Sequence, residues 1–230
     1  MKYIDDEINV LPYELALIHD KRTFCTYYIS LLKTKHDVLF SFFNKNDYNS
    51  QIVKIDLFLI GFAIHYTVNA LFFDDDTMHK IYENKGKFDI EYQLTKSIYS
   101  SLISMILNTL LKLLALSNDA IINFKQNIKK ENAEKKGKEL QKKLKIKFVL
   151  YFIISSIFLS LFWYYISMFG AIYKNTQLHL LKDTLMSFAL SLIYPFGIYL
   201  LPGIFRMPAL LDKKKKSKFL YNYSKLLQIL

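Results

Sequence analysis

The feature that most constrains this chain is the run at 148–173, FVLYFIISSIFLSLFWYYISMFGAIY, 26 residues without Asp, Glu, Lys, Arg or His. A helix rises about 1.5 Å per residue and needs roughly 20 apolar residues to cross about 30 Å of hydrocarbon. A run of this length predicts a membrane span at about 147–173, opening on Lys147.

Once one span is accepted, three further runs of similar size stand out. Residues 55–73, IDLFLIGFAIHYTVNALFF, carry Asp56 near one end and His65 and Asn69 further in. Residues 97–116, SIYSSLISMILNTLLKLLAL, include Asn108 near the middle and Lys112 close enough to the following polar segment for its amine to reach headgroups. Residues 184–206, TLMSFALSLIYPFGIYLLPGIFR, hold Pro195, Gly197, Pro202 and Gly203 in their second half, where the helix is expected to kink or unwind. The expected fold class is all-α, a polytopic bundle of about four transmembrane helices.

The segments between the runs test this count, because cytoplasmic loops near spans are enriched in Lys and Arg. Residues 74–96 hold six acids against four lysines, whereas residues 118–147 hold ten lysines against four acids. The link at 174–183 is nearly neutral, and Lys213, Lys214, Lys215 and Lys216 follow the fourth run. Arg22, Lys33, Lys35, Lys45 and Lys54 precede the first run. Inside and outside therefore alternate across four spans, with both termini and the 118–146 loop expected in the cytoplasm.

This placement of charge also settles what the net charge of +11 implies. The lysines fall between apolar runs, so the expected partners are the bilayer, its anionic inner-leaflet lipids and other membrane subunits, not nucleic acid. Lys213 to Lys216 followed by Phe219, Tyr221 and Tyr223 is a composition suited to an anionic membrane surface. Residues 125–147 interleave Glu and Lys with good helix formers and are expected to extend the third helix as a charged stalk, softened at Gly137. Residues 1–52, with Pro12 opening one short helical pattern and cations spaced through 21–43, are expected as one or two amphipathic helices at the cytoplasmic face. The organisation so read is an N-terminal segment at 1–52, a transmembrane region at 53–208 and a basic tail at 209–230.

Signatures of chemistry are missing from the pattern. The histidines show no i, i+4 pairing and the single Cys25 gives them no thiolate partner, so no zinc motif is present. No glycine-rich phosphate loop or nucleophile elbow occurs, and Asp56 and His65 lie nine residues apart on opposite faces of one helix. No catalytic residue, cofactor or metal is expected. His65, Asn69 and Asn108 remain as candidate intramembrane polar contacts, since a polar group in hydrocarbon needs a partner. Asp74, Asp75, Asp76 and His79 read as a solvated acidic helix end.

Some local wording resembles the membrane portion of receptor-type polycystins, in the helices before their channel core. TVNALFF at 67–73, SSLISMILN at 100–108 and a basic linker before an aromatic-rich third helix carry the resemblance. KRTFCTYYISLLKTKHDVLFSFFNKNDYN at 21–49 is similar to the lead-in of polycystin-related protist membrane proteins. The resemblance extends over about 20–210, transfers no site residue, and implies an accessory or anchoring module without pore-forming helices of its own.

Overall fold

The computed structural model describes residues 3–85, 90–127, 133–212 and 215–228; among these the side chains of residues 90, 92, 93, 127, 215 and 216 are left aside. The described residues form helices and no strand. In chain order these are α1 (Asp5–Val10), α2 (Tyr13–His19), α3 (Phe24–Lys35), a π-helical turn (Leu39–Phe43), α4 (Gln51–Leu71), α5 (Asp75–Glu83), α6 (Ile90–Ala115) and α7 (Asn118–Asn127). They continue with α8 (Ala133–Ile172), a 3₁₀ turn (Lys174–Thr176), α9 (Gln177–Ile198), α10 (Leu200–Leu211) and α11 (Lys215–Leu227).

Four stretches are long and apolar enough to cross a membrane: Gln51–Leu71, Leu94–Ala115, Ala133–Ile172 and Lys174–Leu211. Each coincides with one of the four expected runs. The boundaries differ most at the third, where α8 runs unbroken from the charged stalk into the apolar span. Gly137 does not interrupt it, and the exposed Glu134–Lys138 pair, 2.7 Å apart at i, i+4, braces the same turn. The part of the stalk at 128–132 lies outside the described residues.

Local chemistry explains several helix ends. Thr23 caps α3 by accepting from the Thr26 N–H, and Asp74 caps α5 by accepting from the Thr77 N–H at 3.0 Å, with Asp75 and Asp76 in the first turn beside the positive end of the dipole. Lys147 donates to the Leu116 carbonyl just beyond α6. The acidic cluster is thus a helix start. Lys96 and the Thr77 hydroxyl also bond Asp74, and these bonds hold its carboxyl well below the usual range.

The chain resolves into two compact units, one of residues 1–54 with 192–230 and one of residues 55–191. In the first unit the N-terminal helices and α10 and α11 share one core. Leu11, Tyr13, Ala16, Ala209 and Tyr221 form one part, and Tyr27, Leu31, Leu32 and Tyr199 another. Tyr221, expected among membrane-facing aromatics, is fully buried and donates to the Leu11 carbonyl at 2.8 Å. Lys54, one of the cations that precede the first run, is buried too: its amine donates to the Asn44 carbonyl, pairs with Asp47 at 3.1 Å and lies over the Phe40 ring.

In the second unit α4 is the helix the others cover. Half of its most apolar window is buried, against 22% for the α6 span and 11% for the α8 span. Asp56 accepts from the Tyr151 hydroxyl at 2.7 Å and Tyr165 reaches the Ala70 carbonyl, so α4 and α8 run parallel in step, 14 residues apart on both. Ala70, Phe73, Ile81, Phe169 and Leu180 close one end of this unit.

Candidate functional site

Besides the Lys54–Asp47 pair, two groups of buried polar side chains stand out among the described residues. The first lies in the unit of residues 55–191. Asn69 on α4 donates to Ser187 Oγ on α9 at 2.6 Å, the helix-to-helix bond its place in a span demands. His65, one turn away on the same face, is 2% exposed and meets Phe188 edge-on with ring centroids 5.3 Å apart. Asn108 on α6 packs against α4 at Gly61, where a Cβ would stand 2.9 Å from Asn108 Nδ2. The absence of a side chain at Gly61 is what admits the amide. Asn69 and Asn108 therefore do not meet each other; each is buried against a different helix.

Contacts at two depths fix how α4 and α6 pass. Gly61 lies opposite Asn108, and Lys96 donates to the Phe72 carbonyl, an interval of 11 residues on α4 and 12 on α6 in opposite directions. The helices are antiparallel and in register. That places Ser104 level with His65 and Ser100 level with Asn69, and it brings the buried Ser97 close to the Lys96–Asp74 pair. On α9 the same face carries Asp183, Thr184, Ser187 and Ser191, all buried. The serines on α6 at 97, 100 and 104, then Asn108, recur at helical spacing. That periodicity was the available signal for them, but in a bilayer span small hydroxyls read as ordinary packing.

The second group is ionic and lies in the other unit. Arg206 on α10 is fully buried and makes bonds of 2.9 Å from Nε to Asp20, 3.1 Å to the Asn9 carbonyl and 2.8 Å to the Ile8 carbonyl. Arg22 grips the same carboxylate through Nε at 2.8 Å and also reaches Ser30 and the Asn9 side chain. Both guanidinium groups lie against the Tyr27 ring, and Arg206 also lies against Tyr221. Burial works to raise the Asp20 carboxyl, but the bonds and charges of the two arginines outweigh it and hold it below its ordinary value. Burial pushes the Tyr27 hydroxyl up to about 12, and that group accepts from Gln228 at 2.7 Å. Neither group of side chains contains three His, Cys, Asp or Glu placed to hold a metal ion.

No protein-family model matches the chain, nor does any curated protein or solved structure. What the chain does has to follow from its own chemistry.

The expected break in the fourth span takes a specific form. α9 continues through Pro195 and Gly197 to Ile198, Tyr199 interrupts the helix, and α10 resumes at Leu200 with Pro202 and Gly203 in its first turn. The turn next to Pro195 and Pro202, each lacking an N–H, is braced from α3 and the segment after it. Tyr28 donates to the Phe196 carbonyl at 2.8 Å, and His36 Nε2 donates to the Leu192 carbonyl at 2.9 Å. Gly203 is packed so closely on Phe24 that a Cβ would come within 2.7 Å of the ring. Gly197 differs, since a Cβ there would meet nothing within 4 Å. Lys213 and Lys214 lie outside the described residues; Lys215 and Lys216 begin α11, and their side chains are not described.

Proposed function

We propose that this chain is a four-span integral membrane protein serving as a structural, anchoring or channel-associated subunit, with both termini and the 118–146 loop in the cytoplasm. The α8 span carries this reading. Only 11% of its most apolar window is buried, so a face bearing Ile153, Ile157, Leu161 and Trp163 remains for lipid and for other membrane subunits. The resemblance to the helices that precede a polycystin channel core points to the same role. Anionic inner-leaflet lipids are the proposed partners of Lys213 to Lys216.

A photo-crosslinking residue at Ile157 or Leu161, both more than half exposed, tests the reading in intact membranes. A discrete protein adduct, and a complex larger than the monomer after extraction in mild detergent, are expected. Lipid adducts alone on a monomeric species would withdraw the subunit role. A second reading, an oligomeric small transporter or channel, is favoured by the polar faces of α4, α6 and α9 buried inside the bundle. It requires solute or ion flux across vesicles that contain this chain as their sole protein.

A further inference from the structure

Among the described residues of the spans, six hydroxyls bond their own helix, and four buried ones, Ser155 on α8 and three on α6, have Oγ atoms without a hydrogen-bond partner in the protein. Thr67, Thr109, Ser160, Thr184, Ser187 and Ser191 each donate to a carbonyl three or four residues back in their own helix. That is the ordinary way for a span to satisfy a hydroxyl. Ser97, Ser100 and Ser104 do otherwise. They are at most 1% exposed, and their Oγ atoms find no hydrogen-bond partner in the protein. All three sit on the one buried face of α6, which continues to Asn108 and extends about 16 Å along the helix. The register set by Gly61–Asn108 and Phe72–Lys96 puts this row level with His65, Asn69 and, through the Asn69 bond, Ser187.

We propose that this seam binds water, a file of molecules between α6 and the facing helices whose partners are the hydroxyls of Ser97, Ser100 and Ser104. An unpaired hydroxyl in hydrocarbon is costly, and a buried water needs two to four polar partners, which a row of hydroxyls and amides at this spacing supplies. The file has an aqueous entrance. Ser97 adjoins Lys96, and Lys96 pairs with Asp74, which is more than half exposed at the head of α5 with Asp75 and Asp76 beside it. Small cations are drawn to such an acidic mouth. The seam is then a polar path that penetrates the bundle from the α5 side and reaches at least to the depth of His65. The inference stands on the hydroxyls and the register and does not require the anchoring role.

Silver ion is small, reacts with thiolates and does not enter hydrocarbon, so it reports such a path. The whole chain, with Cys25→Ser, is reconstituted in vesicles carrying one of Ser100→Cys, Ser104→Cys or Leu110→Cys; position 110 lies on the outward face of α6. After silver and a chloride wash, the protein is dissolved in SDS and treated with a fluorescent maleimide. Labelling at 100 and 104 is expected to be lost to prior silver, and labelling at 110 to survive. Full labelling at 100 and 104, or equal loss at all three positions, overturns the proposal. The double variant S100A/S104A gives an independent readout should a cysteine variant fail to fold. Its melting temperature falls if the hydroxyls hold water, and rises if they are merely buried without partners, because removing an unsatisfied polar group stabilises. A rise overturns the proposal.

Discussion

The contact between Asp20 and Arg206 joins residues 186 apart in sequence and removes both charges from solvent. Breaking such a buried pair from one side leaves the other charge uncompensated, at about 3–5 kcal/mol. Asp20→Asn is therefore expected to loosen α1, α2 and α11 together, seen as faster proteolysis of both ends of the chain. The pH dependence has a definite sign. Because the folded-state pKa of Asp20 is depressed, its contribution is present above the ordinary carboxylate range and is lost as pH falls through the lowered value. Thermal melts should show that acid-induced loss in the native chain and a flatter acid limb in Asp20→Asn. The two glycines at the fourth span separate in the same way. Gly203→Ala drives a methyl into the Phe24 ring and is expected to destabilise by about 1–3 kcal/mol. Gly197→Ala enters open space inside a helix and should stabilise by about 0.5–1 kcal/mol. A Gly197→Ala variant less stable than Gly203→Ala in detergent melts would contradict these environments. Neither difference was legible in the sequence, where the two glycines look equivalent.

At the scale of elements, α8 joins a charged stalk to an apolar, largely exposed stretch without a break. Helix-forming Glu, Lys and Leu continue straight into the apolar run, and Gly137 alone is too weak a breaker, at about 1 kcal/mol relative to Ala. Spin labels at positions 135 and 145, both exposed, are expected to give one narrow distance near 15 Å, from about 1.5 Å of rise per residue. A broad distribution would mean that the stalk unwinds near Gly137. The tail is a different kind of element. α11 turns Tyr221, Ser224 and Leu227 into the protein and leaves Phe219, Tyr223 and Leu226 outward. Replacing Lys213 to Lys216 with Gln is expected to weaken binding of the whole chain in nanodiscs to soluble anionic lipid assemblies by about 1 kcal/mol per lysine near the surface. No change would remove the lipid role from the tail. The buried face of α11 was hidden because its partners, Leu11 and Tyr13, stand some two hundred residues earlier.

For the whole molecule, the proposed orientation keeps the N-x-S/T site at Asn222 and Ser224 in the cytoplasm, so expression through a secretory-pathway membrane should leave Asn222 without glycan. A glycan there would invert the topology. The four helices long and apolar enough to cross a membrane were legible because crossing hydrocarbon demands about 20 apolar residues and forbids unpaired backbone, a constraint every residue of the run must obey locally. Other features depend on residues that no local rule relates. The joining of 1–54 with 192–230 rests on Asp20, Arg22 and Arg206, together with the bond from Tyr221 to Leu11. The pairing of Asn69 with Ser187, and the depth at which Asn108 meets Gly61, follow from helix register. By itself the sequence determined the helical class and the four helices long and apolar enough to cross a membrane, because length and apolar composition are properties of one segment at a time. The tertiary structure alone decided which buried polar groups share a layer, because a hydrogen bond or ion pair depends on distances of a few ångströms between segments that sequence leaves far apart.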